Sequence, residues 1–229
     1  MKGVILNDNK TAHNSDVYDE KIVGTIPFYR EFHQAAIGLV TALNPKPGAW
    51  LDTGCGTGSL GFKAYEKFPG TAFTLADPSA EMLETAKNRL KNLKNINFIQ
   101  SDSQSLECED GAFDVITAIQ CHHYLDRARR EAAVENCFRM LKTGGVFITF
   151  EKIMPLTQTG VDTALRMWGD FQTSRGKSIE ETKGHLDRFS KEYFPITIFE
   201  HVDLLKRTSF SVAEVLWASY MQAGFYAIK

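Results

Sequence analysis

Residues 49–58 read Ala49-Trp50-Leu51-Asp52-Thr53-Gly54-Cys55-Gly56-Thr57-Gly58. A short apolar run ends in an acid and enters a loop with glycine at every second position. A second apolar run, Ala72-Phe73-Thr74-Leu75-Ala76, ends in Asp77. Glycine lets a ligand approach the backbone, and the helix that follows begins with unpaired N–H groups. An acid at the next strand end is placed to take both hydroxyls of a ribose. The two runs together predict a nucleoside-cofactor site.

Two cofactors compete for that loop. Gly56-Thr57-Gly58-Ser59-Leu60-Gly61 matches the dinucleotide pattern G-x-G-x-x-G literally, with Asp77 about 20 residues beyond. If the strand ends at Thr53, however, the turn opens at Gly54 and the third glycine position falls on Ser59. Asp52 is the stronger objection, because an acid beside the loop repels a pyrophosphate. S-adenosylmethionine (SAM) has no phosphate and carries an ammonium and a sulfonium, which an acid suits.

With these residues in place the chain resembles the class I SAM-dependent methyltransferases. The acid and G-x-G-x-G of their first motif correspond to Asp52, Gly54, Gly56 and Gly58, with the small Cys55 inside the loop. The second corresponds to Asp77-Pro78-Ser79-Ala80-Glu81-Met82. Ser101-Asp102-Ser103 resembles the third, whose acid takes the adenine amino group. The fourth is Phe113–Ala118 followed by Gln120-Cys121-His122-His123, and the fifth is Leu141-Lys142-Thr143-Gly144-Gly145 leading into Val146–Phe150. The resemblance implies SAM as cofactor and an α/β Rossmann-like sheet, mostly parallel with an antiparallel C-terminal strand, helices on both faces and a helical cap.

Composition agrees. The 229 residues suit one domain, 1–229, with a cap from 1–44 and 154–208. A formal net charge of −2 sets up no global field for nucleic acid. Lys87, Arg89, Lys91 and Lys94 read as a solvated helix face. The four cysteines form no C-x-x-C pair, which points to a reducing, cytoplasmic setting. No signal peptide or long apolar span appears, so no membrane partner is expected.

Strands are expected near 49–53, 71–76, 96–100, 113–119 and 144–151, with helices near 59–68, 79–93 and 128–141. That βαβαβ order gives a parallel sheet whose ligands bind at the carboxyl ends of the strands. Asp52, Asp77, Asp102 and Gln120 fall at such ends. Residues 1–17 read as polar and mobile. Thr25-Ile26-Pro27 reads as a helix start, a capping hydroxyl with proline just inside. The stretch 154–208 reads as helical with a break at 173–176, and Phe210–Leu216 and Gly224–Ile228 as a closing pair of strands. Of the aromatics in the two cap regions, Tyr18 and Tyr29 are expected against the cofactor or acceptor.

Methyl transfer needs alignment and exclusion of water, and a base only where the acceptor carries a proton. His122 and His123 follow the fourth strand, and His123 is the candidate base. No metal is expected of Cys121, His122 and His123, because adjacent residues rarely converge on one ion.

From Tyr18 to its end the chain is also similar to the carboxy-SAM synthases of tRNA wobble-uridine modification. Pro27-Phe28-Tyr29, Glu151-Lys152, Asp170-Phe171, Gly176, Ser178, His201, Phe210, Glu214, Trp217 and Ala227-Ile228-Lys229 carry this similarity. In that family an arginine after the equivalent of His201 holds the added carboxylate; here Leu204 takes its place, with Arg207 one turn on. The expected activity is therefore SAM-dependent methylation of a small molecule, with a homodimer through the cap implied by resemblance. The alternatives are a carboxy-SAM synthase or tRNA-modification enzyme, and a SAM-binding module without catalysis.

Overall fold

The computed structural model describes Ser15 and residues 17–229. Apart from Ser15 and Val17, the polar segment expected to be mobile lies outside the described residues. Five strands run parallel: β1 (Ala49–Thr53), β2 (Ala72–Ala76), β3 (Ile96–Ile99), β4 (Phe113–Ile119) and β5 (Leu141–Lys152). A hairpin of β6 (Val212–Ser219) and β7 (Gln222–Ile228) closes the sheet, β7 running antiparallel to β5. The strand order is β3-β2-β1-β4-β5-β7-β6. The order reverses between β1 and β4, which opens a crevice above their carboxyl ends.

Alternation along the strands builds two cores. Trp50, Phe73 and Ile148 face α2 (Tyr29–Leu43), α3 (Ser59–Lys67) and α4 (Ala80–Leu90), burying Phe32, Val40, Leu60 and Leu83. Leu51, Ile116 and Phe147 face α5 (Arg127–Met140) and α8 (Ile198–Arg207), burying Val134, Met140, Leu204 and Leu205. Side-chain caps fix the helix starts. Ser79 accepts from the Met82 amide, and Ser178 and Thr197 form reciprocal capping boxes with Glu181 and Glu200.

The cap comprises α1 (Tyr18–Ile22), α6 (Gln158–Ser174) and α7 (Ile179–Leu186). Trp168 of α6 is buried and donates its indole N–H to the Thr25 carbonyl, 2.7 Å away, which joins the two cap regions. Thr25 does not start a helix. Its hydroxyl donates back to the Lys21 carbonyl and closes α1, while Ile26 turns into the core and α2 begins only at Tyr29. No helix among the described residues is long and apolar enough to cross a membrane.

Candidate active site

The glycine loop leaves β1 and wraps the start of α3. Gly54 has φ +67°, and a Cβ there would lie 2.5 Å from Cβ of Cys121, so the loop closes against the end of β4 only with glycine. Gly56 has φ +53°, with nothing within 4 Å of where its Cβ would stand. The backbone there faces a partly open cleft of about 50 Å³.

Two acids border this cleft. Asp77 accepts the Gly56 amide at 2.8 Å and the Ser79 amide at 2.9 Å, so one carboxylate ties the loop to the start of α4. Asp52 is fixed by a cross-strand relay. The Trp50 indole donates to the Thr117 hydroxyl at 3.0 Å, and that hydroxyl donates to Asp52 at 2.7 Å. Burial pushes the Asp52 carboxyl up to about 7, nearby Asp77 adds to the rise, and no cation among the described residues pairs with it. A buried acid lining a cleft without a cationic partner fits the ammonium and sulfonium of SAM and opposes a pyrophosphate.

A lid crosses the cleft. Tyr18 of α1 and Tyr29 of α2 line it, and their phenols hydrogen-bond each other. The lid is clasped by Asp19, which accepts the Thr57 hydroxyl at 2.8 Å and pairs with Arg89. Arg89 therefore leaves the solvated face expected of its cluster and holds α1 over the loop. Cys55 and Met82 also line the cleft. His33, which the sequence did not single out, joins them; burial and nearby Lys63 lower its ring to about 3.

Several expected cofactor residues stand elsewhere. Gly58 caps the start of α3, and its Cβ would meet Leu90 at 2.9 Å. The Pro78 carbonyl accepts from Gln100, and Asp102 turns its carboxylate to the Ser105 amide at 2.9 Å. Ser103 is buried beneath the loop, where its hydroxyl meets Thr53 at 2.7 Å and the His122 ring at 2.9 Å. Its expected place on the cofactor is corrected, because that hydroxyl is already used inside the protein.

Gln120 ends β4 in a left-handed conformation, φ 58°. Its amide nitrogen donates to the Phe150 carbonyl and to Gln222 of β7, while its oxygen receives the Lys152 ammonium at 3.3 Å. Gln120, Tyr18 and Tyr124 belong both to the cofactor cleft and to a small second cavity of about 20 Å³. The two spaces share a wall.

Behind that wall lies a buried polar chain. Glu151, fully buried, accepts both backbone amides of His122 and His123 and the His123 Nδ1–H at 2.6 Å. His123 Nε2 therefore keeps its lone pair and receives Lys152 Nζ at 2.9 Å. Burial, with the Lys152 charge, holds His123 well below its ordinary range. With both ring nitrogens engaged and no exposed surface, His123 is not a base for an acceptor, and that expectation is corrected. It positions Lys152. The sequence did not mark Glu151 and Lys152 as site residues; the available signal was an adjacent acid and base ending a six-residue apolar run, Gly145–Phe150.

Residues 51–145 match a family model described as a methyltransferase domain. Over 95% of its length the chain is 22% identical to the carboxy-S-adenosyl-L-methionine synthase of Campylobacter lari, covering 93% of that protein. The synthase of Campylobacter concisus is 26% identical over 94% of this chain and 92% of its own. Among solved structures, the plantazolicin methyltransferase BpumL, crystallised with S-adenosylhomocysteine (SAH) and a desmethyl-plantazolicin analogue, superposes with a TM-score of 0.68. That match is 16% identical and covers 93% of this chain and 90% of that one. Over residues 51–145 the chain is similar to a methyltransferase domain, and its fold is that of the SAM-dependent methyltransferases among these structures.

Proposed function

We propose that this enzyme transfers a methyl group from SAM to a small-molecule acceptor. The observation that carries the reading is Asp52, a buried acid with no cationic partner among the described residues, at the mouth of a glycine loop. When bound, SAM supplies a methyl carbon that forms its new bond to the acceptor as the carbon–sulfur bond breaks, the electron pair staying on sulfur.

The chain's own part is placement. Asp77 and the Gly56 backbone offer the ribose site, Asp52 the charge partner, and Tyr18 and Tyr29 exclude water. The reading includes a cytoplasmic setting and a homodimer through the cap, the latter supported by exposed Ile179 of α7.

The full-length relatives favour a second reading, carboxy-SAM synthesis. Against it, Leu204 is buried in the α8 core, and Arg207 pairs with Asp203 and Glu131 on the surface, so neither supplies the carboxylate clamp. Calorimetry with SAH tests the cofactor assignment. Asp77→Ala is expected to cost about 2 kcal/mol or more, roughly thirtyfold in affinity; unchanged affinity removes the ribose site. Mass spectrometry of the ligand released on denaturation separates SAM or SAH from carboxy-SAM.

A further inference from the structure

The cofactor cleft has a hydrogen-bond donor that the protein itself does not use. His33 of α2 lies one turn beyond Tyr29, is 2% exposed, and lines the cleft together with Thr57 and Ser59. Lys63 of α3 places its ammonium 3.2 Å from His33 Nδ1. An ammonium only donates, so Nδ1 accepts, and a neutral ring then carries its proton on Nε2. The ring is neutral because burial, with the Lys63 charge, lowers it to about 3. Among the described residues nothing hydrogen-bonds Nε2, and that nitrogen is not one of the fully enclosed polar atoms. The donor therefore opens on the cleft. Two further features suit this end of the cleft to an anion. Gly58 caps α3, so no side chain occupies the first amides of that helix, and Ser59 and Leu60 of its first turn line the cleft. Lys63 and Arg89 add positive potential at the His33 ring, while the carboxylate that acts on it, Asp19, is spent on Thr57 and Arg89.

We propose that His33 Nε2–H, with the first amides of α3, holds the carboxylate of the cofactor's amino-acid arm, while Asp52 takes the ammonium of the same arm. The inference deepens the function proposed above and rests on its cofactor. His33 is then a specificity-determining residue, because it reads the group that separates SAM and SAH from thioether nucleosides without a carboxylate. Lys63 is a positioning residue. It acts through the ring, by fixing which nitrogen carries the proton.

Calorimetry compares SAH with its 3-aminopropyl analogue, which keeps the adenosine, the sulfur and the ammonium and lacks only the carboxylate. Wild type is expected to bind SAH about tenfold or more tightly than the analogue. His33→Leu lowers SAH affinity about tenfold and leaves the analogue unchanged. His33→Gln, whose amide nitrogen can stand where Nε2 stood, keeps most of the preference. In nitrogen-15 spectra of wild type, Nε2 of His33 is the protonated nitrogen, and its N–H resonance moves with SAH and not with the analogue. Lys63→Met turns that single tautomer into a mixture. The proposal is overturned if wild type binds the two ligands equally, or if His33→Leu keeps the preference. It is also overturned if His33→Leu weakens both ligands alike, which marks a packing role. Where His33→Leu does not fold, the wild-type spectrum decides, and an Nε2 resonance indifferent to the carboxylate overturns the proposal. Equal binding of both ligands removes the role of His33 alone, whereas binding of neither removes the cofactor reading and the role of His33 with it.

Discussion

At the scale of single residues, the site is built on charges held out of water. Asp52 has its carboxyl raised from 3.8 to about 7 by burial. An acid raised in the fold stays protonated there after the unfolded chain has ionised, so ligand-free stability falls as pH climbs from about 4 through 7. A bound ammonium favours the ionised form, so cofactor affinity moves the opposite way. SAH affinity is expected to rise toward pH 7 and level off above it, weakening about tenfold per pH unit at most on the acid side. Asp52→Asn should flatten that profile at low affinity and raise the ligand-free melting temperature at pH 8. Calorimetry and thermal melts over pH 5.5–8 check both. A profile unchanged by the substitution would show that Asp52 does not face the cofactor's charge.

At the scale of elements, α1 is the shortest α-helix among the described residues and one of the most consequential. Five residues form no stable helix alone. Tyr18 and Ile22 hold it by packing, and Asp19 holds it through Thr57 and Arg89. The ion pair is a third exposed, so its contribution is about 1 kcal/mol or less. Asp19→Asn should therefore leave the melting temperature nearly unchanged and raise the SAH dissociation rate several-fold in stopped-flow displacement. An unchanged rate would show that α1 does not gate the cleft. The sequence showed where α3, α4 and α5 lie because each fills the gap between two strands of an alternating β/α order. It misplaced the start of α2, because Thr25-Ile26-Pro27 has the local signature of a helix start while Trp168, far along the chain, fixes that turn from outside.

At the scale of the whole molecule, the sheet carries the site from β2 to the C-terminal hairpin. Gln222 of β7 fixes Gln120, and Gly224 lets β7 cross Phe150, where a Cβ would lie 2.4 Å from the ring. Phe150 stacks on Phe32 of α2 and cannot retreat. Gly224→Ala should cost about 1–3 kcal/mol in denaturant unfolding; a smaller effect would mean the hairpin is more plastic than its register implies. The parallel strands, the glycine loop and the acids at strand ends were legible because each is a local pattern. The polar chain Glu151–His123–Lys152 was not, because it joins residues 28 and 29 positions apart through the pairing of β4 with β5. Read locally, two adjacent histidines suggest a base and a lysine at a strand end suggests solvent. Their meaning changes once Glu151 accepts the Nδ1–H hydrogen bond of His123.

Tyr18 stands in the wall of both cavities, so the lid completes both at once. Turnover is therefore expected to follow a fixed order, the nucleoside entering first and leaving last, and product-inhibition kinetics check it: SAH competitive with SAM but not with the acceptor supports that order.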